Sequence, residues 1–212
     1  QGRHAEAEAL FRRAVVMRET TLGIEHRDTA QSLNDIGAML HFQGRIAEAE
    51  SYYQRALTVR EKALDSNDPD IAETLKNLGV TRLRQGKTAD AEALFRRALA
   101  IRQTAFGIEH PTTANSMHDV AVVLHGQGKY GDAERSHRLV LATREKVLGR
   151  DHPDTAQSLH GLGMALARQG KHPEAASVLR RALEIRRTAL GPVHPHTTDV
   201  EKLLASLGTA AK

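Results

Sequence analysis

Residues 149–191, GRDHPDTAQSLHGLGMALARQGKHPEAASVLRRALEIRRTALG, contain one full copy of a 42-residue unit that recurs from end to end of the 212-residue chain. Gly170 has counterparts at Gly2, Gly44, Gly86 and Gly128, each preceded by Gln and followed by Arg or Lys. Pro153 is matched by Pro69, Pro111 and Pro195, with Arg27 in the remaining slot. Ala175 is matched by Ala7, Ala49, Ala91 and Ala133, and Arg186 by Arg18, Arg60, Arg102 and Arg144. The segment AEALFRRA occurs at 7–14 and again, two periods on, at 91–98. Internal periodicity of this length identifies a stacked repeat architecture before any element is assigned.

Each period divides at its punctuation into two helices. The first runs from the Pro slot to the Gln-Gly turn. In 29–42, Leu33, Ile36, Met39 and Leu40 form one apolar stripe at helical spacing. The second runs from about 45 to 64, with Ala49, Tyr52, Tyr53, Ala56, Leu57 and Val59 inward. Pro suits a first helical position, and Gly after Leu22, Phe106, Leu148 and Leu190 is placed to end a helix in the left-handed conformation. His26, His110, His152 and His194 stand just before the Pro slot, and Asp68 takes their place once. Asp is among the best N-caps, so the exchange points to capping by all five. Gly37, Gly79, Ala121, Gly163 and Ala205 fall where paired helices are expected to cross closely.

Such a hairpin cannot cover its own apolar face and must stack on its neighbours. The expected fold is an all-α, right-handed solenoid of antiparallel helix pairs, about ten helices in a single array. Its divisions are a second helix at 1–26, full repeats at 27–68, 69–110, 111–152 and 153–194, and a first helix at 195–212. Composition agrees: 40% hydrophobic and 26% charged residues, six prolines, no Trp and 3% aromatics suit a core of Leu, Ala, Val and Ile. The absence of cysteine excludes disulfides, Cys-based zinc sites, iron–sulfur clusters and a cysteine nucleophile. No apolar run is long enough to cross a bilayer and QGRHAEAEAL is not a signal peptide, so a soluble, cytoplasmic chain is expected. A net charge of +4, with 26 acids interspersed among 30 bases, gives little support to nucleic-acid binding.

In the first helices a large residue stands four before a small one, as in Leu33 and Gly37, Leu75 and Gly79, and Leu159 and Gly163; Ala49 and Ala56 follow in the second helix. This resembles the tetratricopeptide repeat, and phrases such as 149–191 resemble its 42-residue kinesin-light-chain type. The resemblance covers the whole chain. It implies a scaffold that binds other proteins, since such repeats serve as interaction modules in cargo adaptors, signalling ATPases and bacterial regulators. No enzyme activity and no cofactor is expected.

Other candidate chemistry is thin. Gly126, Gly128 and Gly131 spell G-x-G-x-x-G, but in a helix–helix turn rather than after a strand. His118 and His160 share a phase in adjacent repeats, and His125 lies two turns beyond His118, so the three are expected beside Asp119 in one stretch of the inner wall; no H-E-x-x-H spacing supports a metal there. The arginine column is expected to lay its stems over the adjoining helix and pair with neighbouring acids. No Ser-His-Asp set, Walker lysine loop or paired-carboxylate pocket is present.

By analogy with the family, the first helices line a concave wall that faces the ligand. The residues assigned there include Asn34, Asp35 and His41; Lys76, Asn77 and Arg84; Asn115, His118, Asp119 and His125; Gln157, His160 and Arg168; and Lys202. They vary between repeats while the packing positions stay alike, the pattern of a specific binding surface, with drift of solvent-facing residues as the alternative. Their bases favour an extended peptide with acidic residues. Asn77 matches an Asn that kinesin-light-chain repeats place near the peptide backbone, whereas Asp35, Asp119 and Gly161 depart from it. Ala38, Val80, Val122 and Met164 stand where a chaperone carboxylate clamp needs Asn, which disfavours heat-shock-chaperone tails. Rival readings are a sensor or oligomerisation domain of a larger signalling protein and single-stranded RNA binding, the latter short of aromatic stacking platforms. The array opens with a second helix and closes with a first, so Leu10, Phe11 and Val15 at one end and Leu203, Leu204 and Leu207 at the other are expected to be exposed, open to head-to-tail self-association.

Overall fold

A computed structural model describes residues 2–209, with side chains from 8 to 208; Gln1 and the side chain of Ala7, both part of the repeat pattern, lie outside the described residues. Among the described residues the chain is ten helices: α1 (Gly2–Thr21), α2 (Arg27–Phe42), α3 (Ile46–Ala63), α4 (Pro69–Arg84), α5 (Thr88–Phe106), α6 (Pro111–Gly126), α7 (Tyr130–Leu148), α8 (Pro153–Arg168), α9 (His172–Leu190) and α10 (Pro195–Thr209). None is long and apolar enough to cross a membrane. The chain divides into two compact units, Gln1–Ala105 and Phe106–Lys212.

The boundaries fall where the chemistry places them. Pro69, Pro111, Pro153 and Pro195 open α4, α6, α8 and α10. At the preceding residue His Nδ1 accepts the backbone N–H two residues on: His26 from Asp28 at 3.1 Å, His110 from Thr112 at 3.3 Å, His152 from Asp154 at 3.1 Å and His194 from His196 at 3.2 Å. Asp68 does the same for Asp70 at 2.8 Å. The capping expectation is met in all five repeats, and it requires an Nδ1 that carries no proton. The helix-ending glycines differ from expectation in one respect. Gly149 and Gly191 have φ of 98° and 86° but ψ of 163° and 162°, an extended positive-φ region open to glycine rather than the left-handed helical one. A further column supports these turns: Thr29, Thr155 and Thr197, all buried, donate to the carbonyls of Gly23, Gly149 and Gly191 at 2.8–2.9 Å.

Within each hairpin the small residue of the first helix receives a large residue of the second. A Cβ on Gly37 would stand 2.7 Å from the Tyr53 ring, one on Gly79 2.6 Å from the Phe95 ring, and one on Gly163 2.5 Å from Leu179 Cγ. The third hairpin is built differently. Ala121 already carries a Cβ, the knob is the smaller His137, and its ring lies against Gly161 of the next first helix, where a Cβ would meet it at 2.4 Å. In the first unit Val15, Leu33, Ile36, Leu40, Tyr53 and Leu78 form one buried cluster. In the second, Leu159, Leu162, Leu166, Leu179, Val200 and Leu207 form another.

The arginine column joins successive hairpins, with different partners from those the sequence led us to expect. Arg18, Arg60, Arg144 and Arg186 donate to the main-chain carbonyls of Asp28, Asp70, Asp154 and His196 at 2.6–2.9 Å. Arg18, Arg60 and Arg144 also reach the hydroxyls of Ser32, Thr74 and Ser158. The hydrogen bonds go to carbonyls, hydroxyls and side-chain amides, while acids act at longer range: Arg60, 1% exposed, pairs with Glu73 at 3.9 Å, and Asp154 and Asp119 act on Arg144. The end residues also depart in part. Leu10 and Phe11 are exposed, joined by Val16 and Met17, but Val15 is buried in the first cluster. Leu207 is buried too, and Leu203 and Leu204 are half-covered by the α8–α9 core.

Two stability measurements check this account. Gly79→Leu forces a side chain into the Phe95 ring and is expected to cost roughly 1–3 kcal/mol, lowering the melting temperature by several degrees; an unchanged melting curve contradicts the crossing. His152→Ala removes a cap and is expected to cost about 0.5–2 kcal/mol, whereas His152→Asp, the residue already in that slot at 68, is expected to match or exceed the wild type in urea unfolding.

Candidate functional site

In the first unit the candidate face is carried by α2 and α4. Asn34 is buried, not presented: its side-chain oxygen accepts from Asn77 Nδ2 at 3.2 Å and links the two first helices. Asp35 is half-buried and accepts from Gln31 at 2.8 Å. His41 lies 3.2 Å from the Thr81 hydroxyl, and burial with the nearby Arg84 charge lowers its pKa. Lys76 is half-buried and Arg84 exposed.

In the second unit the face is carried by α6, α8 and α10. Asn115, Gln157, Arg168 and Lys202 are exposed, but two of them already serve the arginine clamp: Arg144 donates to Asn115 Oδ1 at 2.8 Å and to Gln157 Oε1 at 3.2 Å. The half-buried Asp119 adds its charge to Arg144, countering the burial that lowers the guanidinium's pKa. His125 packs edge-on to Tyr130 with ring centroids 5.2 Å apart, and Arg168 lies over the same ring at 4.9 Å. Burial and the Arg168 charge together lower His125.

His118 and His160 do share one neighbourhood, half-buried beside the fully buried His137. His118 is tilted against His137 with ring centroids 5.5 Å apart. His137 is fully buried with no hydrogen bond to either ring nitrogen, and His118 Nδ1 is likewise unpartnered. Burial lowers the pKa to about 3 for His118 and about 4 for His137 and His160. All three are therefore neutral near pH 7 and offer no charge to a ligand. Among the described residues no three His, Asp or Glu side chains are grouped to hold a metal ion. His137 was overlooked as a partner of this cluster, although its phase with Tyr53 and Phe95 is visible in the sequence.

The cations differ in pairing on both kinds of helix: on the first helices Arg27 pairs with Asp70, and Arg82 with Glu50 and Asp90. On the second helices many bases are consumed by ion pairs, among them Arg45 with Glu8 and Glu48, Arg55 with Glu19, Lys62 with Glu25, and Arg181 with Glu145. Among the described residues Lys76, Arg84, Arg168 and Lys202, on first helices, have no such pair.

The ring-proton shifts of His118, His137 and His160 in a proton–carbon NMR titration are expected to stay flat from about pH 7.5 to about pH 5.5, where an exposed imidazole would be half titrated near ~6.5. A midpoint near that ordinary value for all three would show that they are not buried as described.

The family profile described as tetratricopeptide repeat matches residues 1–62, 28–104, 70–146 and 121–188. Among solved structures, the chain is 24% identical to a candidate kinesin light chain of Podosopora anserina with nearly identical TPR-like repeats, at a TM-score of 0.76 over 89% of this chain and 90% of that one. It is 19% identical to BtubC (BKLC) from P. vanneervenii, at a TM-score of 0.80 over 98% and 84% of the two chains. It is 16% identical to MamA, at a TM-score of 0.63 over 88% and 91%. At these identities the likeness is one of fold. No curated protein matches the chain.

Proposed function

Because the chain belongs to the tetratricopeptide repeat family, whose repeats mediate protein–protein interaction, we propose that it is a non-enzymatic interaction module whose first-helix face binds an extended peptide carrying acidic residues. The observation that carries this is the contrast in charge pairing. Many bases, Arg27 and Arg82 of the first helices among them, are satisfied inside their own unit, whereas Lys76, Arg84, Arg168 and Lys202 hold no ion pair among the described residues. A guanidinium or ammonium without an ion pair gains a charge-assisted hydrogen bond on meeting a carboxylate. Around these bases the exposed amides of Asn115 and Gln157 supply polar contacts for a peptide main chain. The neutral imidazoles beneath contribute shape, not charge.

The test is fluorescence anisotropy with a labelled pool of Asp- and Glu-rich peptides, beside a Lys- and Arg-rich control pool. The acidic pool is expected to bind in a salt-sensitive way. The variant Lys76→Glu, Arg84→Glu, Arg168→Glu, shown to fold by circular dichroism, is expected to lose about tenfold or more in affinity, roughly 1.4 kcal/mol. Equal binding by the variant, or preference for the basic pool, overturns the reading.

A further inference from the structure

In the second unit His137 takes the place that Tyr53 and Phe95 hold in the first, and His118 and His160 stand beside it where the first unit has Asn34 and Lys76. We infer that the second unit is an acid-sensitive element: protonation of the buried His137 and the half-buried His118 and His160 loosens the packing of α6, α7 and α8 while the first unit, built on Tyr53 and Phe95, stays folded.

The geometry leaves the protonated form no place. His137 is fully buried, packed against Gly161 on α8 and the ring of His118 on α6, with nothing accepting or donating at either ring nitrogen. The groups around it are predominantly basic. From α6 come His118, His125 and Asp119; from α7, Arg144; and from α8, His160. Asp119 and Asp154 oppose the charge of Arg144. Glu134, one turn before His137 on α7, is committed to Arg138, Lys171 and Gln169. His160 faces Arg186 on α9, with His196 and Asp199 on α10. A proton added to this set sits beside a fixed cation, Arg144 or Arg186.

The sign follows from the depressed pKa values. An unfolded imidazole titrates near 6.5, the buried ones near 4 or below, so the open form binds more protons in between. Stability of the second unit is complete above about pH 6.5 and falls as the pH drops toward 4. At about pH 5 each of the three imidazoles favours the open form by a factor of about 30. The first unit carries His41 at a half-buried rim position and His26 as a cap. Its knob positions hold groups that take up no proton.

Hydrogen exchange on the whole chain, read peptide by peptide and corrected for intrinsic pH dependence, tests this. From about pH 7.5 to about pH 5 the amides of α6–α8 are expected to exchange at least ~10-fold faster and those of α2–α4 less than ~3-fold faster. The double variant Ala121→Gly, His137→Phe transplants the Gly79–Phe95 pair and keeps every histidine cap. It is expected to reduce the acid effect on α6–α8 by an order of magnitude, and should it not fold, His118→Asn, the residue at the matching position 34, takes its place with the same expectation. Equal acceleration in both units, no acceleration in either, or an undiminished difference in the variants overturns the inference; the last outcome would assign the effect to the caps.

Discussion

For one hairpin to grip the next, a guanidinium has to be taken out of water and satisfied. Arg60 and Arg144 are almost wholly buried, and each spans from the second helix of its own repeat to the first helix of the following one. The carbonyl it reaches lies in the first turn of that helix, just after the cap. The clamp therefore works only if the turn is set: by the Asp68 cap before Asp70, and by the His152 cap with Gly149 and the buried Thr155 before Asp154. Apolar area holds each hairpin together; the directional bonds of the arginine tie each second helix to the next first helix. That order of dependence fits the recurrence of the arginine at every period, with His or Asp always in the cap slot, while the face between them changes.

Most of the fold was legible because it is written five times. A period, its punctuation and the small-residue crossings can be read wherever the same chemistry returns every 42 residues. The partners of the arginines were not legible, since an acid nearby in sequence and a carbonyl across a helix interface look alike until the burial is known. The candidate face was legible only as positions. Asn34, Asn115 and Gln157 stand at those positions and are drawn into internal hydrogen bonds. His118 and His160 are half-covered beside a knob that is itself a histidine, packed against Gly161. Departures of single repeats from the common pattern carry that information, and one period read alone does not.

The same departures separate two jobs. Bases on the second helices lock neighbouring repeats by ion pairs that water screens and that contribute little each. On the first helices Arg27 and Arg82 join that lattice through Asp70, Glu50 and Asp90, whereas Lys76, Arg84, Arg168 and Lys202 hold no ion pair among the described residues. What those four present can change without touching the ion pairs between repeats.

The exchanged crossing at His137 has a consequence for how such a chain can be built and rebuilt. Repeats whose knob fits a hole in the same repeat, as Tyr53 fits Gly37, are self-contained units that gene duplication can copy, delete or shuffle. The third repeat has given its hole to its successor: His137 needs Gly161, and an Asn such as Asn77 in that place would collide with it. Repeats three and four are therefore coupled in packing: a repeat with a side chain at the Gly161 position cannot follow His137 without that ring moving.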